Sequence, residues 1–449
     1  MTGQRSSEIA ASIESQIADG RIPPGSRLPT VRELAGQLAV SPATVAGAYR
    51  MLAARGLTTG RGRAGTTVAS RRSWTARQAP APPPGVLDLA SGGPDPALLP
   101  DLRPALAAVA TDLAADRGRS RPYGADAGLP QLRGLLARRI AAEGGPPTQT
   151  GEVEVVGGVL DGMERVLSGW LRPGDVVAVE DPAYSGVLDL LDVLGLVPVG
   201  VPVDPEGPLP DGLDQALRGG TGPAAAAVVI TVRAQNPTGA CLTPARARDL
   251  ATVLARYPRT LLVEDDHLGP VSGVPLASVA ARARPQSWAH LHGVAKLLGP
   301  DLRLAGLAAD PVTAARVRAR QQAGPGWTSW LLQRLAVHLL TDRGHPEVVA
   351  TAAAAYAGRR EALADALEQR GIRVTPGHGL TLWVPVPQEA AVAQAALASG
   401  VAVRPGEGYR LRSGPGIRLS TATLDTSLAG PAADILAEAI SGRRTPGTP

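Results

Sequence analysis

The sequence predicts a two-part α/β protein: a small winged helix-turn-helix unit, then a large α/β domain built on a mostly parallel sheet. Three features of the sequence predict it. The first seventy residues follow a helix–helix–helix–hairpin plan, residues 71–85 form an Arg/Pro-rich spacer, and from Val86 short β-rich runs alternate with longer helical patterns. Charge divides the chain in the same place. Its 449 residues carry 45 Lys+Arg against 40 Asp+Glu, but residues 1–77 hold eleven Arg and four acidic residues, a net of +7, which leaves a net of −2 for the remainder. A single cysteine excludes an internal disulfide, and the polar start lacks an apolar signal core. The longest apolar run, residues 224–232, is far below the roughly 20 residues that span a bilayer. A soluble, cytoplasmic protein with no membrane partner is expected.

In chain order, Ile9, Ile13 and Ile17 recur at four-residue spacing, the apolar stripe of a first helix that Gly20 can end. Thr30-Val-Arg-Glu33 has the form of a capping box, so a second helix starts there and turns Leu34 and Leu38 inward. Ser41 suits an N-cap and Pro42 a first helical position, opening a third helix that runs to Arg55 and ends at Gly56. Residues 57–59 and 66–68 are β-like and flank the tip Gly60-Arg-Gly-Arg-Ala-Gly65. The spacer favours extended polyproline II and a semi-rigid reach of about 40 Å. Beyond it, strands are expected at residues 153–156, 176–180, 227–232, 261–264 and 304–308, and the last eight residues as a frayed tail.

In a winged helix-turn-helix the third helix enters the major groove. Ser41, Ala43 and Thr44 would then lie near base edges or phosphates and Arg50 near the backbone. Thr30 and Arg32 would add phosphate contacts at the second helix, as would Arg61 and Arg63 on the wing. A solvated basic face is the plainer alternative. Against it, the basic residues coincide with two helix N-termini and a Gly-rich hairpin, which favours double-stranded DNA as partner. The stretch Gly20-Arg-Ile-Pro-Pro-Gly-Ser-Arg-Leu-Pro-Thr-Val-Arg-Glu-Leu-Ala35, with Val40-Ser-Pro-Ala-Thr-Val45 and Ala48-Tyr49, resembles the winged-helix domain of GntR-family regulators over residues 5–70.

All basic residues but one are arginine; the only lysine is Lys296. Lysine can condense with an aldehyde, and arginine cannot. Strong arginine bias could leave one accidental lysine, so its surroundings matter. Lys296-Leu-Leu-Gly-Pro-Asp-Leu-Arg303 places a guanidinium, suited to gripping phosphate, seven residues on. Glu264-Asp-Asp-His267 and Asn236-Pro-Thr-Gly239 each follow or close an expected strand, where α/β folds present site residues. A carboxylate, an amide and an amine at three such ends match what a pyridoxal phosphate site requires.

Together, in this order, these stretches resemble the fold-type-I aminotransferases over about residues 86–440, and the fusion behind a GntR domain resembles the MocR-type regulators. Gly157-Gly-Val-Leu-Asp-Gly-Met-Glu-Arg165, Arg233-Ala-Gln-Asn-Pro-Thr-Gly239 and the segments around Asp265 and Lys296 are most similar to the PtsJ branch of that group. The resemblance implies an N-terminal GntR-type domain over residues 1–70, a linker over 71–85, and an aminotransferase-like domain over 86–449 that binds pyridoxal 5'-phosphate and dimerises. It implies Lys296 as the Schiff-base lysine, Asp265 as partner of the pyridinium nitrogen and Asn236 as a ligand of the ring hydroxyl. Arg303 would bind the phosphate, with backbone amides at Gly158, Val159 and Leu160. Tyr184 would stack on the ring, Tyr123 would reach the phosphate of the other subunit, and Arg418 would hold an effector carboxylate. Plainer roles stay open: core packing for Tyr184 and Tyr123, turn formation for Asn236 and an ordinary salt bridge for Arg418. Cys241 is expected as a buried small apolar residue. His290, His292, His338 and His345 show no metal-ligand spacing, so no metal is expected.

The chain also departs from the family. Hydroxyl residues usual one and three positions before the lysine are replaced by Ala295 and Gly293, and a usual ring-hydroxyl tyrosine by His267. Imidazole can still donate to that oxygen, but it titrates near neutral pH. Three readings of function follow. The first is a DNA-binding transcriptional regulator that senses pyridoxal phosphate, or an amine or amino acid condensing with it, as a head-to-tail homodimer; the branch resemblance points to vitamin B6 metabolism. The second is an active aminotransferase with a DNA-binding arm. The third is a repressor whose large domain is only a dimerisation scaffold. Enzymatic turnover is not expected, although residual half-transamination is compatible with the first reading.

Overall fold

A computed structural model describes the chain except residues 20, 24, 55–56, 61–64, 69–81, 117–122, 125, 221 and 443–449. The chain divides into two compact units: an N-terminal unit, Met1–Ala76, and a large unit holding nearly all of the rest.

The N-terminal unit follows the predicted plan. Helices α1 (Ser6–Ala18), α2 (Val31–Leu38) and α3 (Pro42–Ala54) precede an antiparallel pair, β1 (Thr58–Gly60) and β2 (Thr66–Val68), in register Thr58 to Val68. Ile9, Ile13, Leu34, Val45, Leu52 and Val68 form its buried core, with Ile17 and Leu38 at the edge. The capping box at α2 is made in both directions: Glu33 N–H donates to Thr30 Oγ1 at 3.2 Å, and Thr30 N–H to Glu33 Oε2 at 2.8 Å. Ser41 caps α3 by accepting from Thr44 N–H at 3.2 Å. Between them Ala39 takes the left-handed conformation that ends α2 (φ 53°) and lets the chain turn within two residues. Arg61, Arg63, Gly20, Arg55, Gly56, most of the spacer and the end of the tail lie outside the described residues.

The large unit is centred on an eight-stranded sheet. In chain order its strands are β3 (Val153–Val156), β4 (Val176–Asp181), β5 (Val197–Asp204), β6 (Gly207–Pro208), β7 (Ala227–Thr231), β8 (Leu261–Asp266), β9 (Trp288–Gly293) and β10 (Ala305–Ala309). Their spatial order is β3-β10-β9-β8-β7-β4-β5-β6. The run β5-β4-β7-β8-β9 is parallel, while β10 is antiparallel to both neighbours and β6 to β5. All five expected strands form, with ends shifted by at most two residues. The antiparallel course of β10 is not visible in its sequence, and β5, β9 and the two-residue β6 lie outside the expected strands. Val197-Pro-Val-Gly is interrupted by proline and glycine, and Trp288-Ala-His-Leu-His carries two histidines, so neither reads as a continuous apolar run. Buried valine, leucine and alanine on β3, β4, β7 and β8 are covered by helices such as Val159–Trp170, which packs on Pro311–Gln322.

The chain ends in a lobe with a three-stranded antiparallel sheet of Thr381–Pro385, Gly416–Ser420 and Arg404–Pro405. Helices His345–Glu368, Glu389–Ala398 and Ala429–Ser441 pack around it through Leu363, Leu367, Leu382, Val384, Ile417, Leu419 and Leu436. The strand Leu87–Asp88, far away in sequence, pairs in parallel with Val401–Ala402 in this lobe. Among the described residues no helix is long and apolar enough to cross a membrane.

Candidate functional site

A cavity of about 340 Å³ opens at the C-terminal ends of the parallel strands, where α/β sheets present their site residues. It is lined by Lys296, Asp265, His267, Asn236, Arg303, Tyr184, Gly158, Val159, Leu160 and Arg418, and by Gly293 and Ala295. Strand ends explain this convergence. Asp265 belongs to β8 and His267 follows it; Asn236 lies in the loop after β7. Tyr184 follows β4, Gly158 follows β3, and β9 leads into the short helix Ala295–Leu298 that carries Lys296.

Lys296 Nζ donates to Gly92 C=O at 2.6 Å. Burial, reinforced by the Arg418 guanidinium, pushes its ammonium down to about 8. Asp265 is 3% exposed, and His267 Nδ1 stands 3.3 Å from its Oδ1. Among the described residues neither atom has a hydrogen-bond partner, and Asn236 Oδ1 is buried and unpartnered too. Three orphaned polar atoms around one lysine constitute an unmet demand that a polar aromatic ligand can satisfy. Behind them Glu180 accepts from Thr231 N–H at 3.0 Å and Oγ1 at 2.9 Å, and burial pushes its carboxyl up to about 8.

At the other end, Gly158 (φ 111°) caps the helix Val159–Trp170, whose first amides have no intrahelical acceptor. A Cβ on Gly158 would come 3.2 Å from Arg303 Nη2, so glycine there keeps an open cradle between helix end and guanidinium. Arg418 is buried, donates to Ala90 C=O, and lies 5.7 Å from the Tyr409 ring centroid. Gly293 is tightly enclosed: a Cβ would meet His267 C=O oxygen at 3.0 Å, His267 Cα at 3.1 Å and a Val159 methyl at 2.9 Å.

Tyr123 is not among these residues. It is 93% exposed and sits against Trp327, ring centroids 5.5 Å apart. Sequence reasoning missed Arg404 and Tyr409, which line the cavity. Arg404 pairs with Arg418 across the small sheet, a register that no local motif announces. Cys241 is buried as expected, and its Sγ accepts from Ala234 N–H at 3.0 Å.

Asp266, His290 and His292 each offer one ligand atom, all within 4.8 Å, a grouping that sequence spacing hid because it spans two strands. Both oxygens of Asp266 are taken by the Arg233 guanidinium at 2.8 and 2.6 Å, and His292 Nδ1 lies 3.0 Å away. Burial alone would raise Asp266, but Arg233 and His292 hold it well below the usual carboxylate range. A guanidinium inside the ligand shell repels a metal ion, so the cluster is read as a buried ion-pair network.

In the N-terminal unit Thr30, Arg32, Ser41, Ala43 and Arg50 are exposed and Thr44 half-buried. Ser41 and Thr44 also share a hydroxyl hydrogen bond of 2.8 Å. Arg27 was not singled out in the sequence, yet it lies along the wing, where a Cβ on Gly65 would meet its Nε at 2.9 Å.

A helix-turn-helix unit joined to a lysine-centred α/β fold defines the class: a DNA-binding regulator carrying an aminotransferase-like domain. Residues 5–68 match the gntR family of bacterial regulatory proteins and residues 84–436 the aminotransferase class I and II family. The chain belongs to the GntR regulators that carry an aminotransferase class I and II domain. It is 38% identical to the vitamin B6 salvage pathway transcriptional repressor PtsJ of Salmonella typhimurium, over 95% of this chain and 96% of that one. It is 30% identical to the pyridoxine biosynthesis transcriptional regulator PdxR of Corynebacterium glutamicum, over 70% and 67% of the two chains. Among solved structures, the α-aminoadipate aminotransferase LysN of Thermus thermophilus, complexed with N-(5'-phosphopyridoxyl)-L-leucine, matches 80% of this chain and 93% of its own. That match has a TM-score of 0.70 and 25% identity.

Proposed function

We propose that this protein is a transcriptional regulator that binds double-stranded DNA through its N-terminal unit and senses pyridoxal phosphate, or an amine joined to it, in the cavity around Lys296. The observation that carries the reading is the set of orphaned polar atoms on Asp265, Asn236 and His267 around a single depressed lysine. The cofactor, when bound, supplies an aldehyde that captures amines and a ring that withdraws electrons.

Lys296, with its ammonium near 8, offers a neutral amine at mildly alkaline pH and is the covalent anchor. Asp265 keeps a proton on the pyridine nitrogen, and Asn236 and His267 hold the ring hydroxyl. Arg303 and the amides at Gly158, Val159 and Leu160 grip the phosphate, and Tyr184 stacks on the ring. Arg418 receives a carboxylate. The exposed Tyr123 is read as reaching the pocket of a second subunit in a head-to-tail homodimer. Thr30, Arg32, Ser41, Ala43, Thr44, Arg50, Arg61 and Arg63 contact the operator. Residues 1–70, 71–85 and 86–449 act as DNA-binding unit, linker and sensor, in the cytoplasm.

The names of PtsJ and PdxR point to vitamin B6 supply as the regulated pathway. The active-aminotransferase alternative is less well supported: PtsJ matches across the DNA-binding unit as well, and Ala295 and Gly293 carry no hydroxyl near the cofactor phosphate. The test is a promoter footprint with and without pyridoxal phosphate, alongside absorbance of the bound cofactor. A footprint that moves with the cofactor supports the reading. Multiple turnovers of amino acid to keto acid, with no DNA binding, overturn it.

A further inference from the structure

Resting on that reading, we infer that residues 90–93 form a strap whose backbone carbonyls occupy the ligand's places on the cavity's cations, so that cofactor and effector release it. Three cations converge on this segment. Lys296 Nζ donates to Gly92 C=O at 2.6 Å, Arg418 donates to Ala90 C=O, and Arg404 Nε donates to the same carbonyl at 3.3 Å. A carbonyl oxygen is a weak substitute for a carboxylate: it brings a partial charge and one acceptor atom, where a carboxylate brings a full charge and can take two parallel guanidinium bonds. An amino-acid carboxylate arriving at Arg418 therefore outcompetes Ala90.

Lys296 loses its hold for a different reason. Condensation of the Nζ amine with an aldehyde forms a carbon–nitrogen double bond. The aldehyde oxygen leaves with both amine hydrogens as water, so the neutral product has no N–H for Gly92.

The ends of the strap are fixed independently of the cavity. Leu89 N–H donates to Ala402 C=O at 2.9 Å and Ser420 N–H to Leu89 C=O at 2.7 Å; Asp95 pairs with Arg359 at 2.9 Å, and its N–H donates to the Tyr356 hydroxyl at 3.0 Å. Within the strap, Ala90 and Ser91 N–H both donate to Asp88 Oδ1 at 2.8 Å. What the ligand frees is thus a short bow between two fixed points. Its N-terminal anchor is the strand Leu87–Asp88, which pairs with Val401–Ala402 inside the large unit.

Hydrogen–deuterium exchange on the full-length protein tests this with three probes. Deoxypyridoxine phosphate fills the pocket without an aldehyde or a carboxylate, pyridoxal phosphate adds the aldehyde, and phosphopyridoxyl-L-alanine adds the carboxylate. Amides of residues 90–93 should exchange about threefold to tenfold faster with the second and third probes and not with the first. In the free protein, Arg418→Ala should show the same acceleration, as should Lys296→Ala, so a poorly folded single variant does not decide the matter. Unchanged or slowed exchange with the cofactor's long-wavelength absorbance present overturns the strap alone. Absence of that absorbance, with unchanged exchange in both variants, overturns the functional reading as well.

Discussion

The two units handle their polar residues in opposite ways. In the N-terminal unit Thr30, Arg32, Ser41 and Arg50 face solvent over a core that includes, among the described residues, eleven buried ones. In the large unit the decisive groups are buried: Asp265, Asp266, Glu180, His290, His292 and Arg418 are all under a tenth exposed. The exposed design suits a polyanionic partner that arrives from solution and is gripped by many weak contacts. The buried design suits a small ligand whose few hydrogen bonds must be strong and specific. One side chain should therefore be worth much more in the second unit than in the first.

The largest expected effect is qualitative. Lys296→Ala should abolish the long-wavelength absorbance of bound pyridoxal phosphate while leaving circular dichroism unchanged; a variant that keeps the band removes the lysine from its role. Next is Arg233→Ala, which strands Asp266 and should cost about 3–5 kcal/mol, read as a lower denaturation midpoint of the large unit. A loss below about 1 kcal/mol would show that the buried network is not the strong element described above. Arg50→Ala should act more gently, weakening DNA binding across sequences and lowering the salt slope by about one. A slope that does not change would place Arg50 away from the duplex. The smallest effect is expected at the cap: Thr30→Ala should destabilise the N-terminal unit by about 1 kcal/mol.

The pH dependence sharpens the same contrast. Lys296 sits near 8 in the fold against 10.5 when free, so between those values the unfolded chain binds more protons. Its contribution to stability therefore rises with pH through the window from about 8 to 10.5 and is unfavourable below it. The rate of cofactor capture should climb as pH passes about 8. A rate that climbs only above about pH 10 would show that the amine is not depressed.

Local chemistry made much of this legible. The Thr30–Glu33 box, the Ser41 cap and the Ile9–Ile13 stripe are encoded within a turn or two of helix, and the structure contains each of them. Asp265, Asn236 and Lys296 could be singled out because side-chain chemistry and strand ends coincide. What escaped depends on pairing between distant strands. The antiparallel course of β10, the Arg404–Arg418 pair and the Asp266–His290–His292 grouping are set by register, which no single segment carries. Tyr123 was placed by resemblance alone, and within one chain it stands outside the cavity.

Gly293 gives the site a constraint on its history. With His267 backbone and a Val159 methyl about 3 Å from where its Cβ would be, a serine or threonine cannot enter without moving the chain that carries His267. The obstacle is backbone and a neighbouring methyl, so it stands whatever side chain residue 267 carries. A lineage seeking to restore the hydroxyl by single substitutions would meet a steric barrier at the first step, and an engineer should make room at Val159 and in the backbone at residue 267 before replacing Gly293.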